Sequence, residues 1–139
     1  GEDDKSILYN DLDTESSDID KEYEINKQVF QKLDSLIRRD ELYLSADLSR
    51  EDLVRMAHMN NTRFAKMIKE NTGTNLSGYI NELRLNHAIH LLKEHPEYTL
   101  RAIAEASGIN SMPTFHSLFK NKTGMTPSEF KKTQMDMKQ

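Results

Sequence analysis

The segment Lys69-Glu-Asn-Thr-Gly-Thr-Asn-Leu-Ser-Gly-Tyr79 returns, 51 residues later, as Lys120-Asn-Lys-Thr-Gly-Met-Thr-Pro-Ser-Glu-Phe130. Lys, Thr, Gly and Ser coincide, and Tyr answers to Phe. The same shift carries Phe64 to Phe115 and Ile68 to Phe119. Upstream, an offset of 50 pairs Leu53 with Ile103, His58 with Gly108, Met59 with Ile109 and Asn60 with Asn110, so the second copy holds one extra turn residue. One supersecondary unit occurs twice, and this settles the architecture before any motif is read.

Each copy reads as a short helix, a tight turn and a second helix. In the first, Ser49-Arg50-Glu51-Asp52 offers a hydroxyl cap with an acid at the third helical position, and Leu53, Met56 and Ala57 give an inward face. Asn60 or Asn61 caps the next helix, with Phe64, Met67 and Ile68 inward, and Thr72-Gly73 ends it. In the second copy, Thr99 caps a helix holding Ile103 and Ala104. Ser107-Gly108 closes that helix, Asn110-Ser111 opens one with Phe115, Leu118 and Phe119 inward, and Thr123-Gly124 ends it. Between the copies, residues 76–94 form a longer helix with one apolar stripe of Tyr79, Ile80, Leu83, Ala88, Leu91 and Leu92, stopped by His95-Pro96. Pro127 begins a last helix. Upstream, Val29, Phe30, Leu33, Leu36 and Ile37 recur at helical spacing. No stretch alternates with period two, so the expected class is all-α: two helix-turn-helix subdomains joined by a long linker helix, preceded by an N-terminal helix and an acidic, disordered leader. The expected boundaries are a leader at 1–24, the N-terminal helix and its connection at 25–44, the first unit at 45–75, the linker helix at 76–94, the second unit at 95–133 and a tail at 134–139.

The chain has 139 residues and a formal net charge of −4, which at first sight argues against nucleic acid. That total hides an asymmetry. Residues 1–24 hold ten acids against two bases, a net of −8, whereas residues 25–139 hold 17 bases against 13 acids, a net of +4. The absence of Cys excludes disulfides, Cys-based zinc sites and a thiol nucleophile, including that of a DNA-repair alkyltransferase. No apolar run approaches the roughly 18 to 20 residues that span a bilayer. The chain opens with Gly in a polar stretch, from which a longer parent is expected.

A single helix-turn-helix is a weak signal, because tight helix pairs are common in ordinary bundles. Two of them on a stiff spacer suit successive major-groove faces. The ordered tokens Ile103-Ala104-Glu105-Ala106-Ser107-Gly108-Ile109, Phe115, Phe119-Lys120 and Gly124-Met125-Thr126-Pro127-Ser128-Glu129-Phe130-Lys131 resemble the DNA-binding domain of the AraC/XylS family of bacterial transcription regulators. Ser49 to Leu53, Phe64, Lys69, Gly73, Tyr79-Ile80, Arg84-Leu85, Ala88 and Leu91-Leu92 carry the likeness into the first unit. The chain departs from the family pattern at Ile109, where Phe is frequent, at His58, which replaces the turn glycine, and at Ser117, where a basic residue is frequent. The last of these thins the charge of the second unit, so the first is expected to contribute more affinity.

On the first recognition helix, burying Phe64 and Ile68 leaves Asn61, Thr62, Ala65, Lys66 and Lys69 outward, with Arg63 flanking. Asn suits adenine and Arg or Lys suits guanine in the major groove. The plain alternative is a solvated polar face. On the second helix Met112, Pro113, His116, Ser117 and Lys120 face outward by the same logic. Met112 and Pro113 suit a thymine methyl, or serve only to start the helix. Lys122 and Lys131 are expected at phosphates, together with the helix starts at Ser49 and Thr99. Arg84 is expected in an internal ion pair with Glu105 or Glu82.

His87, His90 and His95 lack Cys or carboxylate partners at tight ligand spacing, so a solvated face is preferred to zinc, and no cofactor is expected. No nucleophile elbow, P-loop or paired carboxylates appear, which leaves no enzymatic reading. The resemblance implies sequence-specific binding of double-stranded promoter or operator DNA by an activator-type output module. It further implies RNA polymerase as a partner, a missing N-terminal sensing or anchoring domain, and a cytoplasmic location on a parent that is free or membrane-anchored. The competing reading is a helix-turn-helix pair turned to protein docking.

Overall fold

The structure, a computed structural model, describes residues 2–138, with side chains from Ser17 onward. Seven helices and one short 3₁₀ turn, and no strand, make up the described residues: α1 (Glu2–Arg39), the turn Leu42–Leu44, α2 (Arg50–Ala57), α3 (Asn61–Thr72), α4 (Leu76–Glu94), α5 (Leu100–Ala106), α6 (Met112–Thr123) and α7 (Pro127–Met137). No described helix is long and apolar enough to cross a membrane.

The caps expected from sequence fix most boundaries. Ser49 Oγ accepts from Asp52 N at 3.2 Å and Asp52 Oδ2 accepts from Ser49 N at 3.3 Å, closing a capping box on α2. Asn60, Asn75, Thr99, Ser111 and Thr126 cap α3 to α7 in turn, each accepting from a backbone N–H three residues on. The two Thr-Gly stops of the repeat carry the same bonds. Thr72 Oγ1 donates to Ile68 O at 2.7 Å and Thr123 Oγ1 to Phe119 O at 2.8 Å. Gly73 N reaches Lys69 O at 2.9 Å and Gly124 N reaches Lys120 O at 2.8 Å.

Two ends differ from the expected boundaries. The helix anticipated from Ile25 begins upstream, and α1 runs straight through the acidic leader from Glu2. The side chains of residues 1–16 of that leader lie outside the described residues. At the other end, α7 continues to Met137 and absorbs most of the anticipated tail.

Two cores share one helix. Leu33 and Ile37 of α1 join Leu53, Ala57, Phe64, Met67, Ile68, Tyr79, Ile80 and Leu83. Leu85, Ala88 and Leu92 join Ile103, Ala104, Ile109, Phe115 and Phe119. The expected single stripe on α4 is therefore corrected: Leu83 and Leu85, about 200° apart around the helix, face opposite units. Each fully buried Phe, Leu or Ile contributes about 1.5–3 kcal/mol, so both units lean on α4 for stability as well as spacing. Met56, expected inward, is exposed.

Arg84, between those two leucines, holds the turn that touches both units. Its Nε donates to Tyr43 O at 2.7 Å and its Nη2 to Ser45 O at 2.8 Å. The expected ion pair is thus replaced by two backbone carbonyls, which a turn end leaves without helical partners. Glu82 pairs instead with Lys122, at 2.6 Å. Burial pushes the Arg84 guanidinium pKa down.

Candidate nucleic-acid interface

Each recognition helix presents a polar face because its apolar positions are spent on a core. On α3, Phe64, Met67 and Ile68 are buried, and Asn61, Thr62, Ala65, Lys66 and Lys69 are exposed together. Lys66 Nζ lies 3.9 Å from Glu70, too loose to hold it, and Lys69 Nζ donates to Gly73 O at 3.0 Å. Arg63 is half-buried and turned towards α1, where its Nε donates to Asn26 Oδ1 at 2.8 Å and lies 3.5 Å from Glu22. On α6, Phe115 and Phe119 are buried, while Pro113, His116, Ser117 and Lys120 are exposed. Met112 is half-buried and packs on the second core, which separates it from the exposed set.

The residues expected at phosphates are more committed. Ser49 and Asp52 satisfy each other, and Glu51 and Asp52 place two acids at the start of α2. Thr99 Oγ1 accepts from Ala102 N at 3.0 Å. Lys122 is paired with Glu82, both at the surface, and Lys131 Nζ donates to Tyr98 O at 2.8 Å. Surface pairs of this kind are worth at most about 1 kcal/mol, so an incoming phosphate can exchange with them.

Arg50 lies outside the set expected from sequence. Its Nε and Nη2 each lie 3.3 Å from Asn61, on Oδ1 and O respectively, and its guanidinium sits 5.3 Å from the Phe64 ring centroid. It joins the start of α3 to α2 and adds a cation beside Asn61. A signal was present: a cation at the first position of a helix opposes the macrodipole, so its place there wants another reason.

Two of the three histidines are engaged with tyrosines. His87 packs edge-on against Tyr43, with centroids 6.2 Å apart, and burial lowers its pKa. His95 stacks on Tyr98 at 4.4 Å. Among the described residues no group of His, Cys, Asp and Glu converges on a metal-sized site.

A family profile described as a helix-turn-helix domain matches residues 53–133, more than half of the chain. The chain is 39% identical over 80 residues to the transcriptional regulatory protein YesN of Bacillus subtilis, a match covering 57% of this chain and 22% of that protein. It is 31% identical over 81 residues to the RCS-specific transcriptional activator RclR of Escherichia coli, covering 58% of this chain and 28% of that one. The chain thus spans less than a third of the length of either relative. A transcriptional regulator with an AraC-type DNA-binding domain from Chromobacterium violaceum superposes with a TM-score of 0.66 at 27% identity, covering 78% of this chain and 93% of that structure. The module is one of DNA binding and not of catalysis. The chain belongs to the helix-turn-helix family of AraC-type DNA-binding domains.

Proposed function

We propose that this chain is the output module of a bacterial transcription regulator and binds double-stranded DNA sequence-specifically, α3 and α6 entering successive major-groove faces. The observation that carries the reading is the duplication. Two capped helix pairs with matching hydrogen bonds flank α4, whose 19 residues rise about 28 Å, close to the ~34 Å pitch of B-DNA. In this reading Asn61, Thr62 and Lys66 read bases from α3, with Lys69 at its far end. His116, Ser117, Pro113 and Lys120 act from α6, with less positive charge. Lys122 and Lys131 exchange their internal partners for phosphate, as do the helix starts at Ser49 and Thr99.

RclR is named an activator, and by likeness to it we assign this chain activation, with RNA polymerase as the protein partner. A sensing or anchoring domain N-terminal to α1 then supplies the signal, and the DNA-binding module works in the cytoplasm. Fluorescence anisotropy on a labelled mixed-sequence duplex tests the reading. Binding in the micromolar range that collapses as salt rises is expected, because each neutralised phosphate releases counterions. No binding at about 50 µM protein in low salt would sink it, and would favour protein docking instead.

A further inference from the structure

On the apolar face of α1, Asn26 stands four residues before Phe30 and seven before Leu33, where the pattern calls for another apolar side chain. It is fully buried, and its Nδ2 has no hydrogen-bond partner. A buried amide left half unsatisfied costs stability, so its presence asks for a return. What Asn26 does make is one bond, accepting from Arg63 Nε at 2.8 Å, across 37 residues of sequence. Glu22, one turn earlier on α1, places a carboxylate 3.5 Å from the same Nε. The two terminal nitrogens of Arg63 have no partner among the described residues, and its side chain is 34% exposed.

We propose that Asn26 is a positioning residue for DNA binding: it fixes the Arg63 guanidinium at the edge of α3 with its terminal nitrogens offered to a phosphate, while Glu22 competes with that phosphate. The proposal rests on the DNA-binding reading above. A guanidinium held by Nε keeps the paired donors that suit phosphate, and it loses less freedom on binding than a free side chain. Glu22 opposes the same event, because an approaching phosphate meets a carboxylate already at the cation. Since α1 packs on α3, any displacement of α1 moves both groups together.

The full chain carrying Asn26→Leu, Glu22→Gln or Arg63→Ala, and the two Arg63→Ala double variants, is titrated against the labelled mixed-sequence duplex, with thermal melting in parallel. Asn26→Leu is expected to melt at or above the parent temperature yet bind about fivefold more weakly. Glu22→Gln is expected to bind roughly twofold to threefold more tightly at low salt. Both effects should disappear when Arg63 is Ala. Equal binding by parent and Asn26→Leu overturns the proposal, as does a Glu22→Gln gain that survives in Arg63→Ala. Glu22 is at the surface, so its arm stays informative if Asn26→Leu folds poorly. A parent that binds no duplex removes the DNA reading and this proposal together, whereas a parent that binds with variants that match it removes only the positioning role.

Discussion

Gly108→Ala separates backbone strain from crowding, with a control inside the same chain. Gly108 has φ +82, and an added Cβ would stand 2.7 Å from Tyr43 O, 2.9 Å from Arg84 Nε and 3.0 Å from Leu44 O. The left-handed conformation alone costs an Ala about 1–2 kcal/mol. The crowding adds about 1–3 kcal/mol, because two of the three obstacles are backbone and the third is the guanidinium that holds that backbone. Gly124 has nearly the same φ, +78, but a Cβ there would meet nothing within 4 Å. Gly124→Ala should therefore cost about 1–2 kcal/mol and Gly108→Ala about 2–5 kcal/mol. Urea unfolding followed by helical circular dichroism measures both. Losses equal within about 0.5 kcal/mol would refute the argument that packing of the Leu42–Leu44 turn, and not φ, makes glycine obligatory at position 108.

Lys66→Ala should weaken binding to the selected operator by about 1–3 kcal/mol and relax specificity at one base pair, whereas equal loss on every duplex would demote Lys66 to a phosphate contact. His58→Gly should raise stability by about 0.5–1 kcal/mol in the same urea assay, since His58 holds a left-handed φ of 54 with an exposed side chain. Tyr79 donates its phenolic O–H to Asp34, and burial first, then that bond, pushes its pKa well above the ordinary value of 10. The folded state thus holds the proton more tightly than the unfolded chain. This contribution is complete below pH 10 and is lost as pH rises beyond it, so Tyr79→Phe should flatten the alkaline limb of a stability profile.

What was legible in the sequence was whatever is written locally. Helix ends carry their own signals: His95-Pro96 stops α4, and Asn60, Ser111 and the two Thr-Gly stops bound the recognition helices. The exposed set on α3 followed from the same periodicity, because burying Phe64 and Ile68 dictates which residues face out. The misreadings involve partners far along the chain. Periodicity predicts a single apolar stripe on α4 because it sums over a helix and is blind to a second core beginning at Leu85. Sequence suggests a carboxylate for Arg84 because backbone carbonyls leave no mark in a sequence, and Tyr43 O is one of them. Arg63 reads from sequence as flanking the DNA-facing set, because nothing near it announces Asn26. The family departure at His58 became intelligible only in three dimensions. Both turns use the left-handed conformation, and in the second a Cβ would crowd the carbonyls of Tyr43 and Leu44.

The central claim is that one chain reads two successive major-groove faces. Selection of duplexes from a random pool by repeated electrophoretic separation with the full chain tests it most directly. The account predicts a recovered site with two conserved blocks whose centres lie about 10 base pairs apart, one helical turn, with the stronger block assigned to α3 by its sensitivity to Lys66→Ala. Recovery of a single block, of two blocks whose spacing drifts freely, or of no enriched sequence would contradict it.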